Sequence, residues 1–274
     1  MLHTNNTGIC LENTVNIFAN TKGGVGKTSG CQTGVEYCII RGLVPAIAQV
    51  DEQGRLAALN QSRVLTISID PKAARENPNL ELQRFGPLSD LIVDTPKGQP
   101  VFIDLGANED QRFGYWCRQA EVLEDIEESG RQVVLYIVYT SEQEALEKAG
   151  ATARDLKRSL PISKLCLVEN QRFGRIGDLV PGSAAHDAYQ QHIQPLLLMD
   201  GSHAIRMPRI RGNSYARFEQ ARIPFSRVAR MSTAEVMDIT GLGRADARIV
   251  RGDVSEWLEQ MFEQLDQLFG NDDE

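Results

Sequence analysis

Short apolar runs alternate with longer amphipathic stretches along most of the chain. "TVNIFA" (14–19), "VPAIAQV" (44–50), "VLTISI" (64–69), "PVFIDL" (100–105), "QVVLYIVY" (132–139), "KLCLVEN" (164–170) and "HAIRMP" (203–208) read as strands. The run 132–139 has no polar alternation to speak of, which suits a strand covered on both faces. Between the strands, residues 27–41, 111–129 and 141–159 read as helices, with Val35, Ile39 and Ile40 as apolar contacts of the first. Near the end, Val254, Trp257, Leu258, Met261, Phe262, Leu265, Leu268 and Phe269 follow helical spacing. Strands alternating with helices predict an α/β fold: a mostly parallel twisted sheet with helices on both faces. There is no internal repeat and no convincing linker. The simplest organisation is a tail over 1–13 and a single domain over 14–274, ending in an amphipathic helix over 253–269.

Composition adds little to this. The 274 residues are 42% hydrophobic and 24% charged, ordinary for a globular chain with a real core. No apolar run approaches a membrane span, and the first thirteen residues lack the basic and apolar regions of a secretion signal. Five scattered cysteines, never in a CxxC pair, suit a reducing cytoplasm better than a disulfide framework or a zinc site.

Charge changes the picture more. Residues 206–251 hold ten arginines, no lysine and four acids, and residues 252–274 hold eight acids and no base. The acidic total of −8 therefore hides one arginine-rich segment: Arg206, Arg209, Arg211, Arg217, Arg222, Arg227, Arg230, Arg244, Arg248 and Arg251. Such a patch can bind nucleic-acid phosphates without sequence preference, or its arginines can pair with local acids and cover neighbouring helices. The final helix carries Glu256, Glu259, Glu263 and Asp266 on its polar face, which an anionic membrane repels. Packing on the domain or on a partner is the expectation for it.

The candidate chemistry lies at 19–30, "ANTKGGVGKTSG", between the first strand and the first helix. Small residues there let backbone N–H groups turn inward around a phosphate, and the helix N-terminus adds positive potential. Gly23, Gly24, Val25, Gly26, Lys27, Thr28 and Ser29 would form the cradle. Lys27 would neutralise phosphate charge, and the Thr28 hydroxyl would ligate Mg²⁺. The strict phosphate-loop spacing is absent, because Thr21 stands where its first glycine would be.

The segment Lys22-Gly23-Gly24-Val25-Gly26-Lys27-Thr28 resembles the deviant phosphate loop of the ParA/MinD family of P-loop ATPases. The resemblance implies a Rossmann-like P-loop NTPase fold, ATP and Mg²⁺ as ligands, and an ATP-dependent sandwich homodimer. In that dimer Lys22 would reach the partner's nucleotide. "QVDEQG" (49–54) resembles the family's DxDPQG segment, with Asp51 as the residue that orients water; Gln49 and Glu52 depart from it. "VFIDLGAN" (101–108) resembles a Walker B strand, with Asp104 as the metal carboxylate. "LCLVENQRF" (165–173) and "RMPRI" (206–210) resemble the strands that place Asn170 and Pro208 against adenine, and "ARFEQARIPFSRV" (216–228) resembles a later family segment. The implied function is a slow, Mg-dependent cytoplasmic ATPase switch. Its cargo would be plasmid DNA, a centromere-binding adaptor or a conjugation component. DNA would bind along 206–251, at the nucleoid, with no membrane role. Rival readings are a nucleotide-dependent scaffold, a metal or cluster carrier, and a small-molecule kinase or ligase.

Overall fold

The computed structural model describes residues 8–51, 54–60, 64–68, 71–77 and 79–270. Its seven strands are β1 (Thr14–Ala19), β2 (Ala46–Val50), β3 (Val64–Ile67), β4 (Val101–Leu105), β5 (Gln132–Tyr139), β6 (Lys164–Asn170) and β7 (Ser202–Met207). They form one sheet in the order β3-β2-β4-β1-β5-β6-β7, and every neighbouring pair is parallel. A parallel pair needs a crossover, so helices line both faces, as the alternating pattern predicts. All strands end on one rim, where ligands bind in open α/β sheets.

The strands alternate between two apolar layers. Val15, Ile17, Ile103 and Leu135 face one, with Phe113, Trp116, Leu146 and Leu156 from the helices. Phe18, Phe102, Val134 and Tyr136 face the other, with Val35, Tyr37, Trp257 and Met261. Phe18 and Tyr136 stack at 4.3 Å between ring centres. On this face the helix Lys27–Ile40 lies close to β4. A Cβ at Gly34 would come within 2.6 Å of the Phe102 ring.

The boundaries depart from the sequence pattern in specific places. The expected helix over 111–129 is two helices, Asp110–Gln119 and Val122–Ser129, because Glu121 turns into the left-handed region at φ 51°. β2 starts at Ala46; the preceding Pro45 has no N–H to give a ladder. Ile39 and Ile40 are not core contacts. They are 49% and 52% exposed at the end of their helix, and Val35, Tyr37 and Cys38 carry the packing. Within the 1–13 stretch, Ile9 and Leu11 are buried in the core.

The C-terminal helix is longer than its apolar pattern and runs Arg244–Phe269. Its stripe is covered by the chain itself. Trp257 packs on Phe225 at 4.5 Å, Phe262 meets Tyr37 edge-on at 5.4 Å, and Phe269 stacks on Tyr37. Gln264 also satisfies the outer strand: Arg206 N–H donates to its Oε1, and its Nε2 donates to Arg206 O, both at 2.6 Å. That occupies backbone groups a bare edge strand would offer to other chains. No described helix is long and apolar enough to cross a membrane.

Candidate functional site

The glycine loop leaves the end of β1 at the centre of the rim. Asn20 anchors its start: Nδ2 donates to Val138 O and Ala145 O, and Oδ1 accepts from Lys22 N–H. Gly24 (φ 76°) and Gly26 (φ 99°) make the turn in the left-handed region, where a side chain would be strained. Gly26 leads into the helix Lys27–Ile40.

Lys27 is 7% exposed, and its Nζ donates to Asn20 O at 2.7 Å and Lys22 O at 3.0 Å. Burial lowers its pKa, opposed by the charges of Asp104, Asp110 and Asp51. One ammonium thus faces three carboxylates in a confined space. The Thr28 hydroxyl donates to Asp104 Oδ2 at 2.7 Å. Asp104 sits at the end of β4, 2% exposed, and burial pushes its carboxyl up to about 7. Its Oδ1 is buried and, among the described residues, has no hydrogen-bond partner. A hydroxyl beside a carboxylate with an unspent oxygen is a hard-oxygen donor pair, which suits Mg²⁺ completed by phosphate and water.

The neighbouring strand end brings Asp51 to the same place. Gly106 N–H donates to Val50 O at 2.8 Å, and a Cβ at Gly106 would meet that oxygen at 2.6 Å. Only glycine lets the loop after β4 approach β2 so closely, which lays it against Asp51. Gln49, paired in register with Asp104, is held elsewhere: Nε2 donates to Thr66 Oγ1, and Oε1 accepts from Ala57 N–H. Glu52 lies outside the described residues.

Lys22 pairs with Glu144 of the helix Gln143–Ser159 at 2.6 Å. Thr21, where the strict motif has glycine, donates to Asp110 Oδ2 at 2.6 Å; Thr152 donates to the same oxygen at 2.5 Å. Asn108 N–H adds a bond to Thr21 O. The threonine therefore ties the glycine loop to the loop after β4 and to the helix carrying Glu144. Sequence reasoning missed Asp110, Thr152 and Glu144. An acid in the first turn of a helix is the one signal Asp110 carries.

Asn170 ends β6 and turns inward: Nδ2 donates to Val25 O at 2.8 Å, and Oδ1 accepts from Arg172 N–H at 3.1 Å. Pro208 follows β7, and its carbonyl accepts from Trp257 Nε1 at 2.7 Å. Ser29 lies in the first turn of its helix, where its carbonyl accepts from Thr33 Oγ1. The structure thus gathers Lys22, Lys27, Thr28, Asp51, Asp104 and Asn170 around one loop.

The arginine segment is mixed. Arg211 pairs with Glu256 and Arg227 with Glu235; Arg230 and Arg251 donate to the Ser226 and Met231 carbonyls. Among the described residues, Arg209, Arg217, Arg222, Arg244 and Arg248 are exposed and carry no ion pair.

A seven-stranded parallel sheet, flanked on both faces and opening β1 into a glycine loop and helix, is an all-parallel α/β fold whose strand–glycine loop–helix layout is consistent with that of P-loop NTPases. No family model and no curated protein matches the chain. Among solved structures it is similar to the MinC:MinD cell division protein complex of Aquifex aeolicus, at 11% identity and a TM-score of 0.44, covering 90% of this chain and 95% of that one.

Proposed function

We propose that this chain is a nucleotide-driven switch that binds ATP with Mg²⁺ and hydrolyses it slowly. The observation that carries this reading is the cluster of buried Lys27, Thr28 and Asp104, with its unspent carboxylate oxygen, at the mouth of a glycine loop. Gly23, Gly24, Val25, Gly26 and Ser29 shape the cradle; Lys27 neutralises phosphate; Thr28 and Asp104 hold the metal; Asp51 orients water. Mg²⁺ would spread the negative charge of the β- and γ-phosphates. Lys22 supplies a second cation to the partner's nucleotide in a sandwich dimer. Pro208 lies beside the base. The five exposed arginines without ion pairs support ATP-dependent DNA binding, with a protein adaptor controlling release, as in plasmid partition.

A second reading is a scaffold that binds nucleotide and hydrolyses little. The side chain of Gln49, bonded to Thr66 and Ala57, favours it by leaving the metal one carboxylate poorer than the family pattern. A cluster carrier has less support, since Cys117 is 1% exposed and burial pushes its thiol pKa up.

The deciding experiment is co-sedimentation with random duplex DNA, with ATP, with ADP and without nucleotide, across a salt series, beside sizing of the same samples. Binding only with ATP, weakening steeply with salt, supports the DNA switch. An ATP-dependent dimer without DNA binding moves the cargo to a protein. No nucleotide binding at all refutes the reading.

A further inference from the structure

The two bonds of Asn170 point to a role for it in phosphate binding. Val25 is 1% exposed and its carbonyl is turned to the β6 side, onto Asn170 Nδ2 at 2.8 Å. The C=O of Val25 and the N–H of Gly26 belong to one planar trans peptide and point in opposite directions. Fixing the carbonyl therefore fixes the N–H. Among the described residues, Gly26 N–H has no acceptor, so it is an unspent donor at the start of the helix, on the side away from Asn170.

The packing confirms a close fit. A Cβ at Gly26 would clash with the Asn170 amide and come within 2.8 Å of Met207 Cε. Asn170 and Met207 are register partners at the ends of β6 and β7, so two strand tips press on the peptide from behind. The amide is itself held: Oδ1 accepts from Arg172 N–H, which sets which end of the side chain meets Val25. Turning the amide away from Val25 would leave a buried carbonyl without its donor, which costs more than one ordinary hydrogen bond contributes.

We infer that Asn170 is a positioning residue for the phosphate cradle: it aims the Gly26 N–H at the bound phosphates, and it does so whatever base the nucleotide carries. This rests on the reading of the loop as a triphosphate site and assigns Asn170 a different task from the adenine contact that the family resemblance implies.

The test uses the purified full chain and isothermal titration with ATP, GTP and inorganic tripolyphosphate, each with Mg²⁺. Asn170→Asp keeps the acceptor for Arg172 and removes the donor to Val25. Asn170→Ala removes both and serves where the buried acid prevents folding. Loss of one buried hydrogen bond predicts Kd higher by about tenfold for all three ligands, with the ATP to GTP ratio unchanged. A changed ratio with tripolyphosphate binding intact would make Asn170 a base reader and overturn the proposal. A lower melting temperature with every Kd unchanged would make it purely structural and also overturn it. If the wild-type chain binds none of the three, the triphosphate site falls and this inference falls with it. If wild type binds and the variants bind equally well, only the inference falls.

Discussion

Lys22 Nζ and Glu144 Oε2 stand 2.6 Å apart, so the lysine expected to act across a dimer is paired within its own protomer. Glu144 raises the Lys22 pKa mainly through this hydrogen bond, and Lys22 lowers that of Glu144. Reaching a partner's nucleotide means leaving Glu144. Exposed pairs of this kind hold weakly, so Glu144→Gln should leave the melting temperature of the monomer nearly unchanged. The proposed ATP-dependent dimer should tighten by about two- to fivefold, the scale of one exposed pair, in sedimentation velocity. A weaker dimer would show that Glu144 belongs to the dimer contact itself.

Asp104 gives the pH dependence. Its unfolded carboxyl loses a proton near 3.8 and its folded one near 7, chiefly because of burial. The folded state thus holds an extra proton between those values, and stability falls as pH rises across that window. Asp104→Asn removes the charge and keeps the shape. It should melt higher than wild type at pH 8, with a ceiling of about 4 kcal/mol at about 1.4 kcal/mol per pKa unit. The gap should shrink at pH 5, while the proposed Mg²⁺-dependent nucleotide binding should be lost at both. Thermal melts at the two pH values check the first part, and titration checks the second.

Gly34 should resist a normally favourable change. Alanine is a better helix former than glycine by about 1 kcal/mol. At this position its Cβ would press on the buried Phe102 ring at 2.6 Å. Overpacking costs about 1–3 kcal/mol, so Gly34→Ala should lower the urea midpoint rather than raise it.

Trp257 separates packing from hydrogen bonding. Trp257→Ala empties a buried indole site and should cost about 3–5 kcal/mol. Trp257→Phe keeps most of the packing on Phe225 but leaves the Pro208 carbonyl without its donor. That should cost about 0.5–1.5 kcal/mol in denaturant melts, the scale of one hydrogen bond to a partly buried group.

The strand ends were the readable part of the fold. β1, β5 and β6 match the sequence pattern residue for residue, and β5, covered on both faces, shows the reason most clearly as a nearly unbroken apolar run. The split near Glu121 was hidden, since no glycine or proline marks that turn. The first turns of the last helix were hidden too: Arg244, Asp246 and Arg248 face water and show no apolar stripe. In the site, the glycine loop was legible because its chemistry is contiguous, and Asp104 because it closes a strand. Asp110 and Thr152 were not legible. Thr21 meets Thr152 across 131 positions, and no local pattern encodes such a meeting.

The strand order has a consequence for how the chain acquires its site. β1 stands between β4 and β5, so Val15 waits for Val101 on one side and Val133 on the other. Closing loops of that length before any pairing is rewarded makes assembly slow. A nascent chain can hold the whole glycine loop and still lack Asp104, Glu144 and Asn170. In this topology the gathering of those side chains waits on the central sheet, so the Thr28–Asp104 hydrogen bond marks the arrival of β4 beside β1 rather than a first collapse of the chain.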